Sequence, residues 1–217
     1  DLTRSSSVTT GQIYQAVIGK ERRGDYLGRT IQPIPHVTNE IKERIRGIGR
    51  ESGAQVVIVE VGGTVGDIES QPHLEAIRQM RNEEGHQDTL SIHVTLLPYI
   101  STTGELKTKP TQHSVRELRS IGVQPDVIVC RSDRPVADEL REKISLFCDV
   151  APSAVIPLLT MPTIYEVPLV LEEAGLGDLI VDRLNLPSGQ GDLEDWQKWV
   201  ERLKHPQSHV EIAIVGK

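Results

Sequence analysis

The sequence predicts an α/β protein built on a mainly parallel sheet, and three observations predict it. Val56 to Val59 is an unbroken apolar run, the pattern of a strand covered on both faces. Strand-like and helix-like segments alternate along the chain, as parallel strands joined by right-handed helical crossovers require. Glycine turns and hydroxyl-rich loops follow the strand-like runs, at the edge where open α/β sheets hold ligands.

The elements follow in order. Thr9 or Thr10 caps a helix through about Arg23 that ends near Gly24. Thr38 or Asn39 caps a second, with Ile41, Ile45 and Ile48 on one face. A strand is expected over 55–61, a helix from about Gln71 to Glu84, a strand over 90–97 and a long loop over 101–110. Thr111 opens a helix reaching Ile121, and Gly122 stops it. Strand 126–131, a helix around 137–148 and strand 154–159 complete the alternation. Residues 186–209 read as a linker with a short helix bearing Trp196 and Trp199. The last run, 210–217, reads as the first strand of another domain, so the sequence looks cut at that end.

Composition narrows the classes. The 217 residues carry a net charge of −7 with no concentrated basic stretch, which argues against a nucleic acid polymer as partner. Local cationic loops can still bind nucleotides. No apolar run approaches the roughly 20 residues that span a bilayer, and the first residues are polar. With only two cysteines, Cys130 and Cys148, a reduced, cytoplasmic setting is expected. Aromatic residues make up 3%, so the core must be Val, Ile and Leu.

Two segments carry chemistry. Glu60 ends the run 55–61, just before Gly62, Gly63 and Gly66. A carboxylate at that strand end is placed to hold Mg²⁺ beside a nucleotide, or it simply caps a helix or pairs with a lysine. Asp67, Ile68 and Glu69 follow the glycine turn, and as residue types they read first as a helix-start acid cluster. The second segment is Lys107, Thr108, Lys109, Pro110, Thr111 and Gln112. A Lys-x-Lys pair is often only a solvated charge run. Here it follows a strand and a hydroxyl-rich stretch, Ser101-Thr-Thr-Gly104, and ends at a helix start, where free N–H groups favour an anion.

These stretches resemble CTP synthase, the glutamine-dependent enzyme that aminates UTP. The resemblance rests on Glu60-Val-Gly-Gly-Thr-Val-Gly-Asp-Ile-Glu-Ser70, Lys20-Glu-Arg-Arg-Gly-Asp-Tyr-Leu-Gly28, Ile34-Pro-His-Val-Thr-Asn39, Ser101 to Ser114 and Ile164-Tyr-Glu-Val-Pro168, in the family's order. It implies a P-loop-type, dethiobiotin synthetase-like amidoligase domain over 1–185, with 210–217 opening a glutaminase domain. It implies Glu60 as a Mg²⁺ ligand and Asp67, Ile68, Glu69, Lys107 to Gln112 and Lys143 as contacts to UTP or to CTP, the feedback inhibitor. Lys107 would also stabilise charge in phosphoryl transfer. Leu159, Thr160 and Met161 would line the ATP site. A homotetramer is implied, with glutamine and GTP acting through a domain outside these residues. The family's phosphate loop, of the G-x-x-x-x-G-K-[ST] kind, has no match in the 217 residues. The isolated chain is therefore expected to be inactive. A nucleotide-binding and assembly module without turnover is one alternative, and a partitioning-type regulatory ATPase is another.

Other reactive residues are discounted. His36, His73, His93 and His113 have no metal-ligand spacing. Cys148 has no nucleophile turn around it. Arg131 and Asp133 are weaker strand-end candidates.

Overall fold

The computed structural model describes residues 2–216 apart from 188, 190, 207 and 209. The chain forms two compact units, one of residues up to His93 plus Lys109–Asp126, the other of Val94–Thr108 and the residues from Val127 onward.

In the first unit, α1 (Thr10–Arg22) starts at a reciprocal cap: the Thr9 hydroxyl accepts from Gln12 N, and the Gln12 side chain accepts from Thr9 N. A short kinked segment with a cis Ile34–Pro35 bond leads into α2 (Thr38–Ser52), which ends on left-handed Gly53. Ile13, Val17, Val37, Ile41 and Ala76 pack into one cluster. A second cluster joins Leu74 of α3 (Gln71–Glu84) to Leu118 of α4 (Lys109–Ser120) and to Val123. On α4 the buried residues are Thr111, Val115 and Leu118, one stripe at helical spacing. Gly122 closes α4 at a φ of 91°, with Arg78 where a Cβ would sit.

Buried charge in this unit is paired. Glu40 lies between Lys20 and Arg44. Burial alone would raise its pKa, but the hydrogen bonds and charge of these two partners outweigh burial and lower it. Arg81 of α3 binds both oxygens of Asp126, at 2.8 and 2.9 Å.

The expected strand 55–61 does not form. Among the described residues the run has no ladder partner, and Ile58 is 92% exposed. Its composition suits a buried strand, but a strand exists only where a neighbour takes its N–H and C=O groups.

The second unit holds a three-stranded sheet in the order β1-β4-β5, with the unit boundary falling inside β1 (Ile92–Leu96). β4 (Val127–Ser132) and β5 (Val155–Leu159) run parallel, from Ile128 opposite Val155 to Ser132 opposite Leu159. Val127, Ile128, Val129 and Cys130 are all buried, and the parallel β4–β5 pair bears out the α/β class, although the run Val56 to Val59 from which it was first read is not in the sheet. The expected loop 101–110 is partly ordered: β2 (Tyr99–Ile100) and β3 (Glu105–Leu106) form a hairpin, and α4 starts at Lys109 rather than Thr111. Helix α5 (Asp138–Cys148) lies where the sequence placed it. Two short helices were not anticipated, α6 (Val167–Glu173) and α7 (Leu176–Arg183).

Helix α8 (Glu194–Lys204) carries both tryptophans. Trp196 donates to the Tyr165 carbonyl at 2.8 Å, and Lys204 pairs with the buried Glu166. Residues 210–216 form no strand, and the described positions there are exposed; residue 217 of that expectation lies outside the described residues. No helix among the described residues is long and apolar enough to cross a membrane.

Candidate functional site

The first unit contains an open cavity of about 980 Å³. One side is apolar, from α2 and the run 56–61. Arg44, Glu60, Asp67, Glu69 and His73 supply polar groups. Two of the sequence-predicted features, Glu60 and the Asp67–Glu69 turn, therefore share one cavity. The turn is shaped by Gly63 and Gly66, at φ of 93° and 104°, which only glycine adopts freely. Asp67 accepts from Thr64 N at 3.3 Å, so part of its carboxylate holds the turn, and it makes no side-chain cap to the short helical segment that follows. Ile68 is 82% exposed, and Glu69 is exposed beside it.

Among the described residues no group of three or more His, Cys, Asp or Glu side chains could enclose a metal. Mg²⁺ does not require one: it keeps several waters and takes one or two carboxylates plus substrate phosphates. An exposed Glu60 facing an open cavity fits that partial donor set.

The cationic stretch divides between the units. Lys107 and Thr108 belong to the second unit, and Lys109 to Gln112 open α4 in the first. Lys109 and Pro110 are exposed, Gln112 is half-buried, and Thr111 lies on the buried stripe of α4. The hairpin fixes Lys107 through its backbone N–H, which donates to Pro98 O at 2.9 Å. Its ammonium meets Glu105 at 2.8 Å. Lys143 is exposed on α5 and lies near enough to act on Glu105: hydrogen bonding and charge from Lys107, then the charge of Lys143, hold that carboxyl below its usual range. Glu105 was not anticipated. Its signal was the i, i+2 spacing to Lys107, which puts both side chains on one side of extended backbone.

Leu159 ends β5, and Thr160 follows it. Thr160 N donates to Ser132 O at 2.8 Å, and its hydroxyl donates to Asp133 at 2.6 Å. The weaker candidates Arg131 and Asp133 thus stand beside Leu159–Met161, at the carboxyl ends of two parallel strands, where α/β sheets bind ligands.

Three of the four discounted histidines have structural partners. His36 packs edge-on against Tyr26, His73 bonds Thr10, and His93 bonds Ser114 at 2.9 Å. Burial lowers the pKa of His73 and of His93. Cys130 and Cys148 are both fully buried, and burial pushes the Cys130 thiol up to about 11, far from a thiolate nucleophile.

Comparison with known proteins decides what this geometry belongs to. The family described as CTP synthase N-terminus matches residues 1–186. The chain belongs to the CTP synthase family. All 217 residues align with CTP synthases, at 64% identity to that of Roseiflexus sp. (strain RS-1), 63% to that of Thermomicrobium roseum and 64% to that of Dehalococcoides mccartyi (strain CBDB1). The chain spans 39% of the length of the first two of these CTP synthases and 40% of the third. The Glu60 turn and the Lys107–Gln112 stretch both lie inside the family match.

Proposed function

We propose that this chain is the nucleotide-handling part of a CTP synthase, the ligase that aminates UTP to CTP. ATP phosphorylates the 4-oxygen of UTP, and ammonia released from glutamine then displaces phosphate. The phosphorylation converts a poor leaving oxygen into a good one, which is why ATP is consumed. The observation that carries the reading is the family match over residues 1–186, which contains every motif read from the sequence.

In this reading the carboxylates of Asp67 and Glu69 and the backbone carbonyl of Ile68 accept hydrogen bonds from ribose or base groups of UTP and CTP. Lys107, Thr108, Lys109, Pro110, Thr111, Gln112 and Lys143 contact the same nucleotides, the ammonium groups facing the phosphates. Lys107 also stabilises charge during phosphoryl transfer. Glu60 holds Mg²⁺, whose chemical contribution is to neutralise phosphoryl charge. Leu159, Thr160 and Met161 line the ATP site. Residues 1–185 form the synthetase domain, 186–209 a linker, and 210–217 the start of a glutaminase domain. Glutamine and GTP act through that further domain, and the cytoplasmic protein assembles as a homotetramer.

A second reading, nucleotide binding and assembly without turnover, is favoured for the isolated 217 residues because they contain no G-x-x-x-x-G-K-[ST] sequence. The two readings agree on ligand and differ on product. Calorimetric titration of the chain with UTP and CTP in Mg²⁺ tests the shared claim. Saturable binding is expected, weakened roughly ten- to a hundred-fold by Lys107→Ala or Lys109→Ala, the size of a lost charge-assisted hydrogen bond. Absence of binding refutes it. The chain alone is expected to make no CTP from UTP, ATP and ammonia, and measurable CTP would refute the second reading.

A further inference from the structure

We propose that Glu105 is an affinity-setting counter-ion: its carboxylate occupies the Lys107 ammonium in the ligand-free chain, and a nucleotide triphosphate must displace it to bind. The inference rests on the assignment of Lys107 and Lys143 to the phosphates of UTP and CTP.

The geometry gives three grounds. Glu105 and Lys107 are two residues apart on extended backbone and meet at 2.8 Å. Their stems are fixed while their heads are free. Glu105 pairs across the hairpin with Ile100, and Lys107 N is bonded to Pro98 O, yet both side chains reach solvent. The carboxylate can therefore swing away without disturbing the fold. Lys143 of α5 also acts on Glu105, so one carboxylate sits in the field of both lysines assigned to phosphate. Phosphate oxygens reaching these ammonium groups take over the partner role of the carboxylate. They then lie near a negative charge that has lost its ion pair, and that repulsion lowers affinity. An ordinary surface ion pair would do the opposite: it would orient Lys107, and its loss would leave binding unchanged or weaker.

The test is titration of the chain and of Glu105→Gln with UTP in Mg²⁺ and, separately, with inorganic tripolyphosphate. Glutamine keeps the shape and removes the charge. Affinity for both probes is expected to rise roughly two- to five-fold, the range of an exposed ion pair. The gain should shrink in about 0.5 M salt, where screening is short-ranged. It should shrink in the background of Lys107→Ala, where no ion pair is left to release and only the repulsion near Lys143 remains. Glu173→Gln, the same charge change on exposed α6, should show no such gain. Wild-type binding that is unimproved or weakened in Glu105→Gln overturns this inference alone. An equal gain in Glu173→Gln overturns it too, because net charge would then explain the effect. No binding of UTP by any variant overturns the nucleotide assignment itself.

Discussion

Replacing Arg81 with methionine should be among the most damaging single changes available in the first unit. The Arg81 guanidinium donates to Asp126 Oδ1 and Oδ2, to Ser91 Oγ at 2.8 Å, to Gln124 O at 3.0 Å and to His86 Nδ1 at 3.1 Å. Its side chain is 9% exposed and that of Asp126 is 14% exposed. Methionine fills much of the same space but removes both Arg81 hydrogen bonds to Asp126, which keeps the Ser91 N–H at 2.8 Å. Breaking a buried pair from one side costs about 3–5 kcal/mol, against a whole-domain stability of about 5–15 kcal/mol. The loss should be read locally, from hydrogen exchange of the slowest α3 amides, because two compact units need not unfold together. The double variant Arg81→Met/Asp126→Asn removes the buried negative charge, keeps an acceptor for Ser91 N, and should recover much of the loss. A cost under about 1 kcal/mol, or a double variant no better than the single, would refute the argument that burial makes this pair matter.

Further outcomes follow from the same structure. The Glu75 carboxyl is held at about 2, first by its hydrogen bond to Arg78, against an ordinary 4.5. A pKa lowered on folding contributes stability above the unfolded value and loses it as pH falls, so the urea midpoint advantage of wild type over Glu75→Gln should fade between pH 4.5 and about 2. Ile128→Ala, at a fully buried position, should cost about 2–5 kcal/mol, whereas Ile58→Ala, at 92% exposure, should stay within about 0.5 kcal/mol in urea unfolding. Cys130 should resist iodoacetamide at pH 8 in the native state and react in urea, since its thiol is buried and its pKa lies at about 11; rapid native alkylation would contradict this.

Much of this was legible in the residues, for reasons that differ by element. Helix α1 was legible from a cap at Thr9 or Thr10, because capping is local, and the structure settles it on Thr9 through the reciprocal bond with Gln12. The strands β4 and β5 were legible from their apolar, buried starts, Val127–Cys130 and Val155–Ile156, since a strand covered on both faces shows no alternation there. The same logic misled at 55–61: apolar content records a preference for burial, whereas a ladder needs a neighbouring backbone, which composition does not contain. The hairpin over 99–106 was hidden because strands of two residues carry no periodicity. In the candidate site, Glu60 and the lysine stretch were visible by type and position, and Glu105 was missed because an acid beside a lysine is unremarkable until their distance is known. Thr111 was read as a helix start and a site residue, yet its spacing to Val115 and Leu118 also marks the buried stripe of α4.

Hydrogen exchange of the chain with and without UTP in Mg²⁺ tests the central claim most directly, because it asks where the nucleotide acts. Protection is predicted in peptides covering 64–70, 105–113 and 140–146, with residues 159–161 responding to ATP instead. Protection absent from these peptides, or appearing only elsewhere in the chain, would contradict the assignment of this chain to pyrimidine nucleotide binding through these residues.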